Sequence, residues 1–103
     1  MELSNLPPRV SHIEVDFDGE IVKLAYDTRK ISNTSTRRSE IDALAACIVS
    51  WDITSGGVLL LPEEHTPEGW QKAFDAVPFA VLITLWDRVW ADFLALTRGR
   101  GKS

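Results

Sequence analysis

Cysteine is almost missing. Cys47 is the single one in 103 residues, so no internal disulfide can form, and a reducing cytoplasm is the expected home. Long apolar runs are missing too. None approaches the ~20 residues needed to cross a bilayer, and no charged-then-apolar signal opens the chain, so no membrane is expected as a partner. Excess positive charge is lacking: the formal net charge is −4, which argues against a nucleic-acid module. Internal repeats and low-complexity segments are absent. What remains is 45% hydrophobic and 25% charged, the composition of one ordinary globular domain over residues 1–103. A chain of this length can bury roughly two-thirds of its unfolded surface.

Catalytic constellations are equally scarce. His12 and His65 stand alone, and Glu63-Glu64-His65 lacks the i, i+4 spacing of a helical zinc site. Cys47 sits among small apolar residues, where a buried inert thiol is expected. The tail Gly99-Arg100-Gly101-Lys102-Ser103 ends in Gly-Lys-Ser, but a phosphate-binding loop would need glycine where Leu96 stands. It would also need a helix after the loop, and here the sequence stops. No catalytic residue, cofactor or metal is assigned, and the expectation is a protein that is not an enzyme.

The first nine residues read as an irregular lead-in, since Pro7-Pro8 blocks a helix. Residues 10–26 read as a β-hairpin around Asp18-Gly19, a pair suited to a turn with positive φ at both central positions. That turn sets Val15 opposite Val22, Ile13 opposite Leu24 and Glu14 opposite Lys23. One face is then apolar and the other carries a charge pair. Residues 28–38 are polar and basic and read as a mobile loop.

Residues 39–51 are predicted as a helix capped by Ser39, with Ile41, Leu44, Ala45, Ile48 and Trp51 on one face. Ser55-Gly56-Gly57 is a turn, and Val58 to Leu61 is either a buried strand or a loop anchored in the core. Thr66 and Pro67 start a short helix over 67–75. The last helix runs over 78–97, closed by Arg98-Gly99, and leaves a frayed tail at 99–103. The fold class is therefore α+β: an N-terminal hairpin followed by three helices.

The last helix is unusual in the breadth of its apolar band, which runs from Phe79 through Leu82, Ile83, Trp86, Val89 and Trp90 to Phe93 and Leu94. A surface helix of a small domain usually shows a stripe of somewhat over ~100°. Either the helix is central and covered on several sides, or part of the band faces another chain. In the second case Trp86, Trp90 and Phe93 are the partner-binding candidates, since aromatic anchors concentrate at interfaces.

From Ala46 onward the order of features is distinctive. A helix ending in Cys47-Ile48-Val49-Ser50-Trp51-Asp52 is followed by the turn Thr54-Ser55-Gly56-Gly57, then Leu61-Pro62, a Thr/Pro-capped short helix, the Val77-Pro78 break and a final amphipathic helix. This order, behind an N-terminal hairpin, resembles the tail assembly chaperones of long-tailed bacteriophages over roughly residues 8–98. The basic loop and the apolar run at Val58 to Leu61 depart from the pattern. The resemblance implies a non-enzymatic protein of the host bacterial cytoplasm. It would bind the tape measure protein, recruit tail tube subunits and self-associate as a homo-oligomer. A competing class is a small acidic immunity or inhibitor protein, suggested by Glu14, Asp16, Asp18 and Glu20 in the hairpin.

Overall fold

A computed structural model describes residues 9–31 and 37–101. Strands β1 (Val10–Phe17) and β2 (Glu20–Asp27) form the expected antiparallel hairpin, with Val15 opposite Val22 and Glu14 opposite Lys23. Asp18 and Gly19 both have positive φ, 53° and 95°. The Asp16 carboxylate accepts the Gly19 N–H at 2.7 Å and holds the turn closed. Val15 and Leu24 are buried, and Ile13 and Val22 pack against them from the same face.

Helix α1 (Arg37–Cys47) is followed directly by strand β3 (Ile48–Trp51). The predicted helix over 39–51 is therefore wrong in its last turn, and Ser39 lies inside the helix rather than capping it. The spacing of Ile48 and Trp51 misleads, because three residues apart reads as one helix face. In the sheet β3 pairs with β2, in the order β1-β2-β3, and Ile48 stands opposite Tyr26 while Trp51 stands opposite Leu24. A β-bulge inserts Val49 as the extra residue, so both apolar side chains point into the core despite the odd spacing. Two further bonds extend the pairing: Asp52 N–H donates to the Lys23 carbonyl at 3.1 Å, and Lys23 N–H donates to the Asp52 carboxylate at 2.8 Å. A helix through Trp51 would forfeit these bonds and leave the β2 edge unpaired.

The second hairpin is minimal: β4 (Thr54–Ser55) and β5 (Val58–Leu59), joined at Gly56 and Gly57, both with positive φ. Helix α2 (Pro67–Phe74) starts as expected, with the Thr66 hydroxyl accepting the Gly69 N–H at 3.0 Å. A Cβ on Gly69 would run into the Glu64 carbonyl, so this close approach needs glycine. Helix α3 (Phe79–Gly101) runs past the expected stop at Arg98-Gly99.

The basic stretch is shorter than expected as a loop. Thr28–Lys30 form a 3₁₀ turn in which the Asp27 carboxylate accepts the Arg29 N–H, and Arg37 and Arg38 already belong to α1. The rest of that loop, residues 32–36, and the lead-in 1–8 and tail end 102–103 lie outside the described residues. The α+β architecture of hairpin and three helices stands. Its core joins Val15, Leu24 and Tyr26 of the sheet to Leu44, Trp70, Phe74 and the Leu82-Leu85-Trp86-Val89 seam of α3. No helix among the described residues is long and apolar enough to cross a membrane.

Candidate partner-binding surface

Helix α3 divides its apolar band by depth. Leu82, Leu85, Trp86 and Val89 recur at the i, i+3, i+4, i+7 spacing and are buried. Trp86 is only 3% exposed, so of the three predicted contact residues it belongs to the core of its own chain. Trp90 and Phe93 are half-buried and pack against that core. The three rings form one run: Trp86 stacks on Trp90 at 6.0 Å, and Trp90 meets Phe93 at 5.9 Å. The middle of the band thus serves mainly to anchor α3, whereas Phe79 at its start is exposed.

The polar strip of α3 holds a residue that periodicity passed over. Asp92 accepts hydrogen bonds from the Tyr26 hydroxyl at 2.6 Å and the Ser11 hydroxyl at 2.8 Å. Burial, reinforced by the neighbouring Asp92 carboxylate, pushes the Tyr26 phenol well above its ordinary range. These bonds fix α3 alongside β1 and β2. No sequence signal marks Asp92, because its partners lie 81 and 66 residues away.

Cys47 is buried as expected, its thiol donating to the Leu44 carbonyl at 3.6 Å. Burial pushes its pKa up to about 12, the opposite of an activated thiol. His12 is exposed on β1, and His65 lies edge-on to Trp70 at 6.0 Å, so the two histidines belong to different parts of the fold. Among the described residues no cluster of three His, Cys, Asp or Glu side chains is placed to hold a metal.

The large apolar residues that are exposed are Ile21 on β2, Val49 on β3, Val58 and Leu59 on β5, Leu61 just after it and Phe79 at the start of α3. Val58 is 67% exposed and Phe79 56%, with Leu59 and Leu61 also exposed. The Val58-to-Leu61 run is therefore neither a buried strand nor wholly an anchored loop. Leu60 alone turns inward, its carbonyl accepting the Trp51 indole N–H at 2.6 Å. Beside it a groove of about 260 Å³ is lined by Phe17, Val22, Ile53, Leu60 and Val81, with Glu20 at its rim. No family model, curated protein or solved structure matches this chain.

Proposed function

We propose that this chain is a non-enzymatic tail assembly chaperone of a long-tailed bacteriophage. It would act in the host bacterial cytoplasm, bind the tape measure protein, help recruit tail tube subunits and self-associate. Two things support this reading. The first is the ordered resemblance from Trp51-Asp52 through Gly56-Gly57 and Leu61-Pro62 to Val77-Pro78. The second, which carries the reading as a binding protein, is the exposure of the apolar side chains Val58, Leu59 and Leu61 along one short stretch of chain, and of Phe79 at the start of α3. Apolar groups gathered on a surface mark contact with another chain, and an amphipathic helix offers the matching face.

Co-expression with the tape measure protein of the same phage genome tests it. The chain should co-purify with that protein and keep it soluble. Val58→Ser with Phe79→Ser should release it without unfolding the chain. An insoluble tape measure protein and no co-purification would sink the proposal. The exposed acidic tip of the first hairpin (Asp16, Asp18 and Glu20) favours a second reading, an inhibitor that docks on a basic enzyme. That reading predicts a stable 1:1 complex with the enzyme and no effect on tape measure solubility.

A further inference from the structure

The three-stranded sheet has two edges, and they differ. Strand β3 is four residues long and a bulge interrupts its pairing with β2, so it offers little to an incoming strand. Strand β1 runs eight residues in unbroken register with β2, and among the described residues nothing pairs with its other side. The two-residue turn makes Phe17 and Glu20 a hydrogen-bonded pair, so the odd-numbered residues of β1 bond to β2. The bond from the Thr28 N–H to the Arg9 carbonyl, at 2.8 Å, keeps the same phase. The even-numbered residues, from Val10 to Asp16, therefore turn their backbone N–H and C=O groups outward along the open edge.

The side chains of β1 divide by the same period. Ser11 and Val15 are buried on the core side, where Ser11 meets Asp92 of α3. Ile13 and Phe17 share that side but are only half-buried. His12, Glu14 and Asp16 are exposed on the outer face.

We infer that the open edge of β1 takes up an extended segment of another protein, paired antiparallel and alternating basic with apolar residues. Backbone bonds supply the attachment, and the alternation supplies the selectivity. Residues opposite Glu14 and Asp16 lie on the same face as these acids, so lysine or arginine there meets a carboxylate. The residues between them fall on the apolar side, next to Ile13 and Val15. An acidic segment would set like charges side by side. So would a second copy of β1, which brings its own acidic row to the same face. The row thus opens the edge to one kind of partner and closes it to others. The inference goes beyond the proposed function and needs neither the tape measure protein nor self-association.

Synthetic peptides as long as β1 test it on the full chain, by calorimetry and backbone amide exchange. A peptide alternating lysine and valine should bind, and the same peptide with glutamate for lysine should not. Methyl groups on the lysine backbone nitrogens keep every charge but block the bonds to β1, and should abolish binding. Methyl groups on the valine nitrogens, which face away from β1, should leave it intact. Binding should slow exchange of the His12 and Glu14 N–H groups and change little at Ile13 and Val15, which already bond to β2. Glu14→Gln with Asp16→Asn should weaken binding roughly threefold to tenfold. The Asn side chain can still accept the Gly19 N–H that Asp16 accepts, which keeps the turn. Should that variant lose its fold, the methylated peptides carry the test on the wild type. No binding of the lysine–valine peptide overturns the inference. Equal binding of the lysine-methylated peptide overturns it too, as does binding that leaves exchange at His12 and Glu14 unchanged, since either would mean charge attraction without strand pairing.

Discussion

The two hairpins use the same turn chemistry and end in opposite situations. Asp18-Gly19 and Gly56-Gly57 both hold two consecutive residues at positive φ. Behind the first turn lie two strands of eight residues, which put Val15 and Leu24 in the core and leave Glu14 and Lys23 exposed. Behind the second lie two paired positions only, and the apolar residues Val58 and Leu59 face solvent. A turn specifies that the chain reverses. Whether the arms are buried depends on how far they extend under something else. The first hairpin lies across α3, whereas the second is tied to the fold chiefly by Trp51 and Leu60.

The largest expected effect separates the buried sheet and its helix from the exposed arm. Trp86→Ala empties a fully packed site on α3 and should cost about 3–5 kcal/mol, and Leu24→Ala about 2–5 kcal/mol, enough to unfold a domain this small. Urea denaturation measures both. A Trp86→Ala variant that stays fully folded would take that residue out of the core. Trp51→Phe comes next. It keeps the contact with Trp70 and Phe74 while removing the bond to Leu60, and should cost about 1 kcal/mol. Amide exchange should quicken over β4 and β5 but not over β1 and β2. Uniform quickening would mean that the second hairpin is not an independent unit.

Alkaline pH probes the sheet side of the comparison. The Cys47 thiol and the Tyr26 phenol both sit above their ordinary values of 9.0 and 10.0, so the folded chain holds their protons more tightly than the unfolded one. Stability is then full below pH 9 and falls as pH rises from there towards 12, with Cys47 contributing at most about 1.4 kcal/mol per pH unit. Thermal melts of wild type and Cys47→Ala between pH 8 and 10.5, on the order of one melt per half unit, should show a shallower decline in the variant. Equal slopes would show that the thiol is not held protonated by the fold. The smallest effect belongs to the exposed arm. Val58→Ser and Leu59→Ser should change stability by no more than ~0.5 kcal/mol in the same denaturation assay. A loss of 2 kcal/mol or more, on the order of a core substitution, would place this arm in the core.

Legibility followed the range of the interactions involved. The Asp18-Gly19 turn, the Thr66-Pro67 start of α2 and the register of β1 with β2 follow from residues within a few positions of one another. The division of the apolar residues between core and surface was less legible. An apolar band on α3 reads alike whether core or partner covers it, so Trp86 could not be told from Trp90 by spacing. Val58 to Leu61 reads as buried by composition, yet only Leu60 finds a place inside.

The sequence by itself determined where the chain turns and where α2 starts, because glycine, proline and capping side chains act on their own backbone. Only the tertiary structure decided that α1 stops at Cys47 and that Ile48 to Trp51 form a strand. The spacing of Ile48 and Trp51 satisfies a helix face and a bulged strand equally well. The choice falls to the strand because the open backbone groups of Leu24 to Tyr26 are satisfied by pairing with it. That requirement comes from a strand more than twenty residues earlier, so no local reading of residues 39–51 contains it.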